Sequence, residues 1–299
     1  MATKANNPDQ ANTPQDAVTG EEISSTTVPP STPSTSQSND SARNAFSELL
    51  SPAKKSPKHH ESPPKPRAPP ALTTFSGRAG LGAYTAAPES FPTSRVISYD
   101  DEFVTINDLY PKSSIHLLLL PRRPDKQLLH PFEALQDPDF LASIQQEVKK
   151  LRLLVAKELQ RRFGKYSTKE QERENAMEKA LNGTEELDEA TLPPGRDWTK
   201  DVISGVHTHP SMSHLHIHVL SRDGHSECMR HRKHYNSFAT DFLVDVEEFP
   251  LTAVDAKRRR KAGFLNDDLV CWRCGRNFGN KFVKLKHHLE GEFEEWKAE

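Results

Sequence analysis

Long apolar runs are missing from this sequence: no stretch approaches the roughly 18 apolar residues that a membrane span needs. A basic segment leading into an apolar one, the mark of a secretory signal, is missing as well. Cysteine is scarce, three in 299 residues, too few for a disulfide framework. These absences argue against a secreted or membrane-spanning protein and for the reducing interior of a cell. Aromatic residues are nearly absent from residues 1–70, which hold only Phe46, while the same stretch carries 12 of the 23 prolines. Such a segment cannot bury enough apolar surface to offset the entropy of ordering it. Residues 1–70 are therefore expected to form a disordered arm, with about 230 residues left to fold.

An overall excess of one charge is also lacking, with 40 Lys and Arg against 42 Asp and Glu. The balance hides a polarity. Residues 222–288 carry 14 basic and 9 acidic side chains, whereas the last eleven residues carry five Glu against one Lys. A locally basic C-terminal third is what a phosphate-rich partner needs; a solvated charged face is the bland alternative. The run Lys257–Lys261 (KRRRK) and the sparser segment Ala53–Arg67 are candidates for nucleic-acid contact or for a nuclear import signal.

Past about Leu81 the texture becomes that of an α+β domain. Ser94–Tyr99 and Glu102–Asn107 alternate and are β-branched, which predicts a hairpin around Asp100 and Asp101. Ile115–Leu120, ended by Pro121, reads as a buried strand. Over Asp139–Phe163 the apolar residues Phe140, Ile144, Val148, Leu151, Val155 and Leu159 recur at three to four, predicting a long amphipathic helix that starts near Asp137 or Asp139. Residues 164–196 read as a polar insertion without a convincing apolar face, with a second helix over Lys169–Leu181. Val202–Val206 and His214–Leu220 are further strand candidates.

The last of these carries the chemistry. In Gly205–Ser221 (GVHTHPSMSHLHIHVLS) the residues His214, His216 and His218 alternate with Leu215, Ile217 and Val219. On a strand this puts three imidazoles on one face and the aliphatic residues on the other. His207 and His209 stand just upstream. A metal site, nucleophilic catalysis and a merely polar strand face are the three readings. Alternate residues of one strand lie about 7 Å apart, so three such histidines cannot converge on one ion without ligands from elsewhere. Nucleophilic catalysis needs one ring to attack while its neighbours orient it and offset charge.

A second constellation lies near the C-terminus. Cys271 and Cys274 form a CxxC, and His287 and His288 follow at finger-type spacing. No histidine follows at the usual distance, but Glu292 stands one helical turn after His288, and a carboxylate is a legitimate zinc ligand. Cys271, Cys274, His288 and Glu292 are the expected ligands, with His287 and Glu290 as substitutes. A redox CxxC is the rival reading. A tail this small needs a staple to hold a core, so the zinc is expected to be structural.

The stretch His214 to Leu220 resembles the signature of the histidine-triad (HIT) superfamily, whose members transfer or hydrolyse nucleotidyl groups. Asp108–Lys112 followed by His116–Pro121 is similar to that family's nucleotide-pocket strand and preceding turn. Within the superfamily the chain is more similar to the aprataxin branch, through Tyr110-Pro111-Lys112, Pro210–His214, Lys233–Phe238 and the zinc-finger tail. It resembles the fungal-type form, without a forkhead-associated domain and with Glu in place of the last finger histidine.

The resemblance implies a HIT-type antiparallel sheet with a long helix over residues 71–222, and a basic DNA-binding zinc-finger tail over 223–299. It implies hydrolysis of 5′-adenylated DNA ends left by abortive ligation, without a catalytic metal. His216 is then the nucleophile and forms a covalent AMP-histidine, with His214 buttressing its ring. His218 and Lys112, with backbone N–H groups near Ser211–Ser213 and Met212, offset phosphate charge. His207 serves the leaving phosphate, and His116, Ser114 and Asp108 shape the nucleotide pocket. Lys233, His234, Asn236, Ser237, Arg273 and Lys284 are the implied DNA contacts, and Phe75 or Gly77 the base-stacking position. Zinc is the implied structural metal, AMP the product, and nicked or broken DNA the partner, with repair proteins on the arm. A monomer in the nucleus is expected.

Two other functions compete. A small-nucleotide or phosphoramidate hydrolase would survive deletion of residues 223–299. A non-catalytic zinc-finger DNA-binding protein would survive loss of His216.

Overall fold

The structure is a computed structural model, and it describes residues 77–183 and 192–299. The expected arm, Phe75 and the middle of the polar insertion lie outside the described residues. Six strands form one antiparallel sheet in the order β1 (Val96–Tyr99), β2 (Phe103–Asn107), β3 (His116–Pro121), β5 (Ile217–Ser221), β4 (Val202–His207) and β6 (Leu243–Val244). The expected hairpin forms, with Asp100 Oδ1 accepting the N–H groups of Glu102 and Phe103 to close its turn.

The helices divide between the two faces. The short α1 (Gly82–Ala86) and α2 (Pro131–Ala134) precede the long α3 (Pro138–Phe163). The Asp137 side chain caps α3 by accepting the N–H groups of Asp139 and Phe140, and Pro138 fits its first turn, where an N–H has no helical partner. The stripe from Phe140 to Leu159 is buried against Leu117, Leu119, Ile217 and Val219. Alternation sends Leu118 and Leu120 to the opposite face, where they pack with Val104, Ile106 and Leu81.

Two expectations are revised by the packing. The strand expected from His214 starts only at Ile217, leaving His214 and His216 in the lead-in. Its partner β3 ends at Pro121, which has no N–H to donate, and the lead-in bonds elsewhere: Ser213 N–H to the Arg78 carbonyl and Leu215 N–H to that of Gln127. The polar insertion is also more than a surface loop. Its helix α4 (Thr168–Leu181) starts one residue before the expected position and buries Glu170. That carboxylate accepts from Gln160 Nε2 at 3.1 Å, the Arg196 N–H at 3.2 Å and Trp198 Nε1 at 2.8 Å.

The C-terminal third comprises α5 (Arg232–Ala239), β6, the basic helix α6 (Ala253–Lys261) and the 17-residue α7 (Phe282–Ala298). It is continuous with the sheet. β6 pairs with β4, and Phe293 and Trp296 of α7 enter the main core. The Arg196 guanidinium lies against the Trp198 and Trp296 rings, 4.1 and 4.9 Å from their centroids, and bonds Asp201 and the Trp296 carbonyl. A smaller cluster of Met229, Tyr235, Leu269, Cys271, Leu285 and Leu289 joins α5 to the CxxC turn.

Candidate functional site

Strand register assembles the histidines. His116 on β3 stands opposite Leu220, and His218 on β5 opposite Leu118 on one side and Gly205 on the other. These residues share the face away from α3. His207 closes β4, with its ring 4.3 Å from that of His218. The lead-in then brings the His216 ring within 4.9 Å of His218, nearly perpendicular to it.

The hydrogen bonds assign the protons. His216 Nδ1 lies 2.7 Å from the His214 carbonyl, which can only accept, so Nδ1 carries the proton and Nε2 keeps its lone pair. The Lys112 N–H donates to His116 Nδ1 at 3.2 Å, and His116 Nε2 then donates to His218 Nδ1 at 2.9 Å. His218 is left with its proton on Nε2. His218 Nε2 and His207 Nε2 are buried and have no protein partner among the described residues. A buried polar atom of this kind needs an explanation, and a ligand's oxygens would supply one.

Burial sets the charge state. Desolvation lowers the pKa of His116 to about 4 and pushes His207 and His218 well below the usual imidazole range. The same cause lowers His216, against its bond to the His214 carbonyl. Four neutral imidazoles therefore face one another at neutral pH. Burial would raise Asp108, but the His116 ring, which gains its charge only near pH 4, the Tyr110 N–H and Lys112 hold its carboxylate low, and it lies 3.4 Å from His116 Nδ1. The Lys112 ammonium is lowered by burial and bonds the Tyr110 carbonyl at 2.6 Å.

His214 does not join the cluster through its ring. The imidazole packs against Gly82 in α1, where a Cβ would lie 2.6 Å from the ring, so its support of His216 runs through the main chain. Ser114 is also turned inward: its N–H and Oγ both donate to the buried Asp223 carboxylate. Met212 packs against the cluster that contains Leu81 and Leu118, and Ser211 sits half-buried in the turn. Gly77 is exposed with φ +76°, and a residue without a side chain offers no stacking surface.

The expected DNA contacts separate. Lys284 is exposed on α7 and Lys233 half-buried on α5. His234, Asn236 and Ser237 are 7%, 1% and 3% exposed, so these three do not present their side chains to a phosphate backbone. They are engaged in the fold: Asn236 Nδ2 donates to the Asp267 carbonyl, Ser237 Oγ to that of His234, and His234 Nδ1 accepts the Arg230 N–H. Arg273 likewise bonds Glu292, Glu295 and Glu299. On α6, Lys257, Arg258, Arg260 and Lys261 are exposed. That helix meets the loop after β4, since the Arg260 carbonyl lies 2.8 Å from His209 Nε2 and Arg260 Nη2 donates to His130 Nδ1, whose Nε2 reaches the Thr208 carbonyl.

The second constellation converges. One donor atom each from Cys271, Cys274, His288 and Glu292 lies within 4.8 Å of the others, with Cys274 Sγ 3.1 Å and Glu292 Oε1 3.0 Å from His288 Nε2. Two thiolates, an imidazole and a carboxylate fit tetrahedral zinc. The knuckle is closed by Gly275, at φ +74°, donating to the Cys271 carbonyl. His287 and Glu290 are exposed and outside this set. Asp108, His116 and His218 also lie within 4.8 Å of one another, but the hydrogen bonds above already account for that group.

Sequence reasoning missed Gly82, Phe238 and Asp223. Only Phe238 left a signal, within the Lys233–Phe238 motif, and nothing there marks it as facing the histidines.

The HIT domain family model matches residues 92–225, and that of the C2HE / C2H2 / C2HC zinc-binding finger matches residues 239–295. The aprataxin-like protein of Saccharomyces cerevisiae is 32% identical over 73% of this chain and 97% of its own length. That of Schizosaccharomyces pombe is 32% identical over 74% and 83%. The crystal structure of the aprataxin ortholog Hnt3 in complex with DNA superposes with a TM-score of 0.56, at 29% identity over 73% of this chain and 96% of that one.

Proposed function

The chain belongs to the aprataxin-like family of HIT-domain proteins, and from that premise we propose that it is a DNA 5′-adenylate hydrolase acting in single-strand break repair. Its substrate is a nicked or broken DNA end whose 5′-phosphate carries AMP. The solved DNA complex of an aprataxin ortholog supports DNA as the partner. The observation that carries the chemistry is the free Nε2 of His216, left by the bond from Nδ1 to the His214 carbonyl.

In this scheme Nε2 attacks the AMP phosphorus. A P–N bond forms as the anhydride P–O bond breaks, and the DNA 5′-phosphate leaves, met by His207. Water then cleaves the P–N bond, releasing AMP and restoring the imidazole. His218 Nε2–H, unpartnered in the fold, donates to a non-bridging phosphate oxygen, and Lys112 adds positive charge nearby. The Lys112 N–H and His116 hold His218 in the tautomer that can donate. Ser211 and Met212 line the approach, and Ser114 acts by tying the start of β3 to Asp223.

Zinc on Cys271, Cys274, His288 and Glu292 is structural in this reading and holds α7 in place. Lys233, Lys284 and the exposed cations of α6 track the phosphate backbone, which makes binding salt-sensitive and indifferent to sequence. The enzyme acts as a monomer in the nucleus, and the N-terminal arm recruits repair partners.

The test is a gel assay on a nicked duplex bearing a 5′-AMP-capped strand, without added magnesium. Wild type should release AMP and leave a 5′-phosphate end, and His216→Ala should release none. Equal release by both proteins removes His216 as the nucleophile. Cleavage of a small AMP ester without action on the nick turns the reading to a small-nucleotide hydrolase.

A further inference from the structure

One side of the histidine cluster is closed by a ring from outside the HIT-matched segment. Phe238 on α5 lies 5.3 Å from His116 and 5.1 Å from His218, edge-on to both, and 4.9 Å from His207. The same side chain lines a cavity of about 230 Å³ walled also by Lys112, Ser113, Leu220, Tyr235 and Trp272, and by none of the histidines. Phe238 is thus the partition between this space and three imidazoles.

Its own position is set from the finger. Tyr235 Oη donates to the Val270 carbonyl at 2.9 Å and accepts the Trp272 N–H at 3.0 Å, gripping the residues on either side of Cys271. Asn236 Nδ2 holds the next residue of α5 to the Asp267 carbonyl.

We propose that Phe238 is a positioning residue of the catalytic cluster, which keeps water from His116, His207 and His218, and that the zinc knuckle sets its place through Tyr235. The proposal rests on the reading of His216 as nucleophile.

Truncating the ring joins the cavity to the cluster, and the joined space is large enough for water with polar partners on the imidazoles. Water competes for the His116–His218 bond and lowers the penalty on the protonated rings. The groups facing the ring's surroundings are His116, His207 and His218 from the sheet, His216 from the lead-in, Lys112 and Arg222 on the cavity wall, Asp108 beyond His116, and His234 on α5 itself. Of these only Asp108 is anionic, and it holds positive charge on His116 once water enters.

The test uses the full chain and the p-nitrophenyl ester of AMP, which needs no DNA contact. Phe238→Ala should lower kcat about 100-fold, the scale of a misplaced catalytic group, with KM changed by less than about threefold. The acid limb of its kcat profile should move up toward the ordinary imidazole range, near 6.5. Phe238→Leu, which keeps an apolar plug, should retain most of kcat and the wild-type limb. Histidine ring titrations followed by ¹⁵N NMR, without turnover, should show His116 rising from about 4 in Phe238→Ala.

A Phe238→Ala protein with wild-type kcat and limb overturns the proposal, and so does lost kcat with unmoved titrations. Should that variant fail to fold, Tyr235→Phe decides: reduced kcat with zinc retained supports the linkage, and unchanged kcat with unmoved titrations refutes it. Absence of ester cleavage by wild type counts against the functional reading instead, and the titrations then judge Phe238 alone.

Discussion

At the scale of single residues, the site depends on main-chain and glycine positions as much as on the imidazoles. Gly82 lets the His214 ring lie against α1, and the His214 carbonyl in turn holds the proton of His216. Gly82→Ala puts a methyl group 2.6 Å from that ring, and overpacking of this kind costs about 1–3 kcal/mol. The expected result is a lower melting temperature together with a fall in kcat, because the carbonyl moves with the ring. A variant that lost stability but kept full kcat would separate His214 from His216. The buried histidines also predict a pH dependence. His116 is held by burial at about 4, whereas the unfolded chain takes up its proton near 6.5. Stability is therefore complete above the unfolded value and falls as pH drops from 6.5 toward 4, by up to about 1.4 kcal/mol per pH unit for each such group. Urea midpoints at pH 7.5, 5.5 and 4.5 measure the slope, and His116→Asn should flatten part of it.

At the scale of elements, the C-terminal helix α7 has two jobs at its two ends. Up to Glu292 it offers His288 and Glu292 to the finger, and from Phe293 on it carries Phe293 and Trp296 into the main core. Arg196 secures the second end, lying against both Trp198 and Trp296 and bonded to Asp201. Its side chain is only 4% exposed. Removing one partner of a buried ion pair costs about 3–5 kcal/mol, so Arg196→Ala should be severely destabilising and should expose the Trp296 region to proteolysis. Bound zinc should survive in this variant, because all four donors lie outside the contact; a loss of zinc in parallel would mean that finger and helix end fold as one unit.

At the scale of the whole molecule, the two family matches meet in one packed body. The sheet is completed by β6, and the main core by Phe293 and Trp296, both from beyond residue 222. Fully burying one large apolar side chain is worth about 1.5–3 kcal/mol, so a chain ended at residue 222 forfeits more than one strand. Such a fragment should show a sharply lowered melting temperature and exposed apolar surface in dye binding. It should also have little activity on a small AMP ester, since Phe238 leaves with the tail. A stable, fully active fragment would restore the independent catalytic module that the sequence by itself describes.

The sequence alone determined the α+β class, the hairpin, the long helix, the histidine set and the finger ligand pattern. Each is local: alternation of 2, periodicity of 3.6 or a short spacing repeats within a few residues and can be read without a partner. Only the tertiary structure decided which residues meet across the chain. The ladder that ends at Pro121 leaves His216 in a loop, its Nδ1–H donated to a carbonyl rather than to a neighbouring ring. The contacts of Gly82 with His214, Arg196 with Trp296 and Phe238 with His116 each span 100 residues or more. A contact at that separation has no period, and its partners are chosen by the packing of elements that the sequence specifies one at a time.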